Sequence, residues 1–189
     1  LGQLFLVKVS IMRNFVLTAA LAFGLAAPAL SALPVGATAP DFTTEASLAG
    51  TPMPFSLAAA LKKGPVVLYF FPAAFTTGCT AEAHEFAEAT DSFTALGATI
   101  VGVSADDIAT LNRFSAEACR NKFAVATASA KVIADYDVKL MPLVAKSNRT
   151  SYVIAPDGTI AFVHSNLSYK GHVEQTLAAV KAWRAAHPG

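Results

Sequence analysis

The stretch Pro65–Thr80, "PVVLYFFPAAFTTGCT", joins a strand-like run to the apparent start of a helix and places Cys79, one of only two cysteines, at the junction. "PVVLYFFP" is a continuous β-branched and aromatic run, as expected of a strand covered on both faces. Phe86, Ala89, Phe93 and Leu96 then recur at helical spacing, with Gly97 near the end, so a helix is expected from about Cys79. A sulfur there lies among backbone N–H groups that lack intrahelical partners, at the positive end of the helix dipole, and such surroundings stabilise a thiolate. A buried cysteine packing as a small hydrophobe is the alternative. Thr76-Thr77-Gly78 weighs against it, because hydroxyls and a glycine offer hydrogen bonds and close backbone access.

Outward from this junction the chain alternates strands and helices. "VGATAPDFTTEASLAGTPMPFSLAAALKKG" reads as short extended pieces and turns, with an edge hairpin. "ATIVGVSAD" is a second buried strand, residues 107–120 a second helix with Ile108, Leu111 and Phe114 on one stripe, and "FAVATAS" a third strand. A short helix around Lys131–Tyr136 and a loop, "DVKLMPLVAKSN", follow. "TSYVIAPDGTIAFVHS" is two strands joined through Asp157-Gly158, a dipeptide suited to a tight hairpin turn. The closing helix carries Val173, Leu177, Val180 and Trp183 on one face. This order predicts one α/β domain over residues 33–189, a central mixed sheet flanked by helices.

The N-terminus has a different character. Met12-Arg13-Asn14, the apolar "FVLTAALAFGLAA" and the small residues of "PALSALP" have the pattern of a secretory signal peptide, with an uncleaved membrane anchor as the second choice. Residues before Met12 fit neither a leader nor a domain and are expected to be translated upstream sequence. Residues 1–32 therefore stand outside the fold, and an exported, periplasmic location is expected. Without Lys8 and Arg13 the 14 basic residues fall to 12 against 13 acidic, a net of −1. Nothing in that balance points to nucleic acid. An even cysteine count in an exported chain is also compatible with one structural Cys79–Cys119 disulfide.

Pro72, Thr76 and Cys79 reproduce P-x-x-x-T-x-x-C, and "GCTAEA" is similar to the matching segment of the peroxiredoxins, in their bacterioferritin-comigratory-protein or PrxQ-like branch (AhpC/TSA family). "GATAPDF", "VGVSAD" and "RTSYVIAPDGTI" resemble the family's opening, second buried strand, and arginine-bearing strand and hairpin. The resemblance implies a thioredoxin-like fold and thiol-dependent reduction of hydrogen peroxide or organic hydroperoxides, with no cofactor and no metal. Cys79 would become a sulfenic acid. Arg149 would stabilise the thiolate and hold the peroxide oxygens, Thr76 would donate through its hydroxyl, and Pro72 would shape the loop and limit water. Peroxide and an external dithiol reductant are the implied partners, without stable membrane association, and a monomer is the implied state.

One feature departs from the branch. Its common resolving cysteine, five residues after the reactive one, is replaced here by His84, which cannot close a disulfide and points about 140° away around the helix. Cys119, forty residues after Cys79, is the remaining candidate, expected at the edge of the second helix's apolar stripe, where a thiol could emerge to form an intramolecular disulfide in each turnover. A one-cysteine enzyme resolved by an external thiol is the alternative. A thioredoxin-type oxidoreductase needs C-x-x-C, which Thr76-Thr77-Gly78-Cys79 lacks. A glutathione-peroxidase-like site is disfavoured because the only Trp, Trp183, lies on the last helix. A copper module similar to the Sco proteins needs C-x-x-x-C, and position 83 is Ala. His84, His164, His172 and His187 show no metal spacing and are expected to be structural or at the surface. A non-catalytic adaptor on the same fold would be marked by loss of Cys79 or Arg149, and both are present.

Overall fold

Strand β3 (Val66–Phe70) is buried along its whole length, and its alternating side chains divide the interior into two layers. Residues 32–188 are described by a computed structural model, and the leader read over residues 1–32 lies outside them apart from Ala32. Val66, Leu68 and Phe70 pack with Leu57 and Leu61 of α1 (Leu57–Leu61) and with Ile133 of α4 (Ala130–Asp135). Val67, Tyr69 and Phe71 pack on the other side with Phe86 and Phe93 of α2 (Thr77–Ala95), Leu111 and Phe114 of α3 (Ile108–Glu117), and Val180 of α5 (His172–Ala186). A period of two in the strand thus meets apolar stripes of period 3.6 from both faces.

The other strands are β1 (Thr43–Leu48), β2 (Thr51–Ser56), β4 (Thr99–Ser104), β5 (Ala124–Thr127), β8 (Thr150–Ile154) and β9 (Ile160–Ser165), in the sheet order β2-β1-β5-β4-β3-β8-β9. β3, β4 and β5 are parallel, while β1, β2, β8 and β9 join antiparallel, so the sheet is mixed as the sequence predicts. The β3–β8 pairing sets Phe70 opposite Thr150, which brings Arg149 beside the end of β3 from far along the chain.

Two segments differ from their sequence reading. α1 has no long apolar period to announce it; Ser56 caps it, accepting from Ala59 N at 3.2 Å, and Leu57 and Leu61 anchor it. The segment read as a loop, 137–148, contains the hairpin β6 (Lys139–Met141) and β7 (Val144–Ser147), whose largely exposed residues leave no buried alternation to read. The Asp157-Gly158 turn forms as expected, with Gly158 at a φ of +86°.

Tyr69 lies opposite Gly102 in the β3–β4 register, and a Cβ on Gly102 would come within 2.8 Å of the Tyr69 hydroxyl. The ring is also held against Phe86, with centroids 4.3 Å apart, so it has little room to yield. Gly102→Ala is expected to destabilise the protein by about 1–3 kcal/mol, read as a lower denaturant midpoint with an unchanged m value.

Candidate active site

The segment between β3 and α2 is pinned from both sides. Phe71 N donates to Val103 O at 3.0 Å, and Phe71 O accepts from Ser147 Oγ at 2.9 Å. Ala74 N donates to Asp106 Oδ2 at 2.7 Å, and the same oxygen accepts from Ser104 Oγ. Pro72 sits half-buried between these anchors, with no N–H to satisfy. Phe75 adopts a φ of +61°, a strained conformation for a bulky side chain, while its ring packs edge-on against Phe114 at 5.3 Å. Thr76 is the N-cap residue of α2, but its hydroxyl turns back to Ala73 O at 3.1 Å and makes no cap bond.

Cys79 lies in the first turn of α2 and is only 1% exposed. Three nitrogens of Arg149 fix its guanidinium: Nη2 donates to Cys79 Sγ at 3.3 Å, Nη1 pairs with Glu82 Oε2, and Nε donates to Leu167 O at 3.0 Å. A Cβ on Gly78 would stand 3.2 Å from Nη2, so this glycine gives the guanidinium its access. Burial alone would lower the Arg149 value, but Glu82 and Cys79 outweigh it, and the side chain stays charged.

Glu82 follows Cys79 by one helical turn on the same face of α2, and it is fully buried. Burial pushes its carboxyl up to about 8 against the opposing pull of Arg149. Beyond it stands His172, with Nδ1 3.7 Å from Glu82 Oε1 and 2.8 Å from Ser151 Oγ, and Nε2 3.0 Å from Asn166 O. A carbonyl oxygen can only accept, so Nε2 carries the hydrogen and Nδ1 offers a lone pair to Ser151. Burial pushes His172 down to about 4.

The AhpC/TSA family model matches residues 35–163. The chain belongs to the AhpC/TSA family. It is 35% identical over 143 residues to a Mycobacterium tuberculosis protein named as a peroxiredoxin, covering 71% of this chain and 90% of that one. It is 32% identical to chloroplastic peroxiredoxin Q of Arabidopsis thaliana, over 78% of this chain and 67% of that one. The crystal structure of the peroxidoxin BcpB from Mycobacterium tuberculosis superposes with a TM-score of 0.71 at 34% identity, over 79% of this chain and 97% of that one. The thioredoxin-like fold and the PrxQ-like branch expected from the sequence both stand.

Within this peroxiredoxin, four of the five residues singled out from sequence gather at one place: Pro72 and Thr76 on the pinned segment, and Cys79 and Arg149 in direct contact. Cys119 does not join them. α3 ends at Glu117, so Cys119 lies past the helix rather than at the edge of its stripe, and it is fully buried in the apolar cluster that also holds Tyr69, Phe86 and Phe123. Both cysteines are free, which removes the reading of a standing disulfide, and burial pushes the Cys119 thiol strongly up. Sequence reasoning missed Glu82, although its i+3 spacing from Cys79 was a usable signal. It also missed Asp106 as the anchor of the loop and His172 as the neighbour of Glu82, for which only long-range packing is responsible.

The charge cluster gives stability a pH signature. Between 4.5 and about 8, folded protein keeps on Glu82 a proton that the unfolded chain has lost, so stability falls as pH rises. Between about 4 and 6.5, folded protein lacks on His172 a proton that the unfolded chain carries, so stability rises with pH. The two oppose each other up to 6.5, and Glu82 alone acts from there to about 8. Denaturant titrations are expected to show stability falling across that upper window, and Glu82→Gln to flatten it.

Proposed function

We propose that this chain reduces hydrogen peroxide or organic hydroperoxides through the Cys79 thiolate. The single observation that carries the reading is the direct donation from Arg149 Nη2 to Cys79 Sγ at 3.3 Å, in a guanidinium whose other nitrogens are fixed. The sulfur attacks one peroxide oxygen, the O–O bond breaks, and Cys79 becomes a sulfenic acid while the departing oxygen gathers negative charge. Arg149 and the first-turn N–H groups of α2 are the donors available to that oxygen, and the Thr76 hydroxyl joins them by rotating away from Ala73 O. Pro72 holds the loop and limits water.

Resolution of the sulfenic acid by Cys119, as an intramolecular disulfide, is the preferred completion of the cycle. Cys79 and Cys119 belong to the same apolar cluster on one face of the sheet, and Arg120 and Asn121 directly after Cys119 hold positive φ of 51° and 61°. Arg120 in that conformation carries strain of about 1–2 kcal/mol, whereas asparagine adopts it readily, and this favours local unwinding just past the end of α3. The first turn of α2 would unwind with it. The complete burial of Cys119 supports the second reading, resolution by an external thiol. In either case the reductant is an external dithiol or small thiol, the protein acts as a monomer, and the leader within residues 1–32 carries it to the periplasm.

Cys79→Ser is expected to abolish peroxide consumption in a coupled thiol assay, and unchanged consumption would refute the proposal. Mass spectrometry of protein oxidised with one equivalent of peroxide is expected to find a Cys79–Cys119 linked peptide. A lasting Cys79 sulfenate, or only intermolecular bridges, would select the external thiol instead.

A further inference from the structure

The charges behind the reacting sulfur do not balance if each group takes its ordinary form. A Cys79 thiolate and a Glu82 carboxylate would set two negative charges against the one guanidinium of Arg149, with all three side chains buried. An unbalanced buried charge is costly. The hydrogen bonding points the same way. Glu82 Oε1 has no hydrogen-bond partner, and it faces His172 Nδ1 at 3.7 Å. Because His172 Nε2–H is committed to Asn166 O, Nδ1 presents a lone pair, so an ionised Glu82 would turn one acceptor toward another. One proton removes both conflicts.

We propose that Glu82 and His172 hold one proton between them while Cys79 is a thiolate and give it up when Cys79 loses its charge, with His172 the positioning residue that keeps the proton on Glu82. This rests on the peroxidase reading of Cys79 and specifies how its charge is compensated. Attack on R–O–O–H forms the S–O bond and breaks the O–O bond. The sulfur gives up two electrons, the peroxide takes them, and RO− leaves in need of a proton. The balance is Glu82–COOH + Cys79–S− + ROOH → Glu82–COO− + Cys79–SOH + ROH. Arg149 is neutralised by the thiolate before the reaction and by Glu82 after it, so the cluster keeps one charge pair throughout. A later disulfide with a neutral Cys119 releases water and moves no net proton.

From α2, Glu85 raises Glu82 further, while Arg149, at the head of β8, opposes. From β3, Tyr69 carries no charge, because burial above all holds its hydroxyl well above the ordinary value. From β9, the His164 ring stands 4.5 Å from that of His172, lowers it, and is itself lowered by burial. Ser151 on β8 shares the Nδ1 lone pair.

The test counts protons. Reduced protein is mixed with one equivalent of hydrogen peroxide in weak buffer with a pH indicator, about one unit below and about one unit above the Glu82 value of about 8. Thiolate absorbance establishes the starting state of Cys79, and mass spectrometry follows its oxidation. Wild-type protein is expected to take up almost no proton per oxidised Cys79 at the lower pH and close to one at the higher. Glu82→Gln is expected to take up one at both. His172→Gln, whose amide N–H can donate to Glu82 Oε1 and favour its ionised form, is expected to take up one at the lower pH as well. Uptake of one proton by the wild type at both values, or equal uptake by wild type and Glu82→Gln at the lower pH with Cys79 ionised, would overturn the proposal. If the variants fail to fold, the wild-type comparison still decides, supported by an infrared carboxylic-acid band that disappears on oxidation. Absence of any Cys79 oxidation would instead refute the peroxidase reading on which the proposal stands.

Discussion

The contact between the Arg149 guanidinium and the Cys79 sulfur is the constraint around which the molecule is arranged. A buried guanidinium is tolerated only where each of its donors is satisfied and its charge is met. Here Leu167 O takes Nε, Glu82 takes Nη1, and Nη2 is left for Cys79. The antiparallel pairing of β8 with β3 delivers Arg149 to the start of α2, and Gly78 leaves the space it occupies. Glu82, in turn, holds the arginine at the cost of becoming a buried carboxyl itself, and its proton is drawn into the chemistry for that reason.

The loop before the helix is held as firmly as the helix. Ser147 and Val103 from neighbouring strands and Asp106 from the bend after β4 fix its backbone, and Phe114 holds the strained Phe75 in place. Such a scaffold presents the donors of a peroxide site in position before the substrate arrives, which is where electrostatic catalysis has its effect. The other cysteine has the opposite character. Cys119 is fully buried in an apolar cluster next to a strained turn, so its participation depends on local unfolding rather than on preset geometry.

Much of this was legible in the chain itself, for physical reasons. The run Val66–Phe71 could only be a strand covered on both faces, and the spacing from Pro72 through Thr76 to Cys79 marked the loop and the helix start. Arg149 could be placed only through family resemblance, since a strand-end arginine says nothing alone about what lies opposite. Local signals failed where structure depends on distant partners. α1 is stabilised by a cap and two buried leucines, and the β6–β7 hairpin lacks a buried face. Glu82 looked like an ordinary helix glutamate, because its surroundings come from far along the chain: Arg149 before β8 and His172 of α5. His84 and Cys119 show the limit from the other side: one position excluded the common resolving pair, but helical periodicity overestimated how far α3 extends and how exposed Cys119 would be.

The central claim is that Arg149 and the start of α2 make Cys79 unusually reactive toward peroxides. The second-order rate of its oxidation by hydrogen peroxide, followed by rapid mixing and quenched mass analysis, tests this most directly. The expected rate is orders of magnitude above that of a free cysteine at the same pH, collapsing toward the free value when the protein is unfolded in denaturant. A folded-protein rate no greater than that of free cysteine would contradict it.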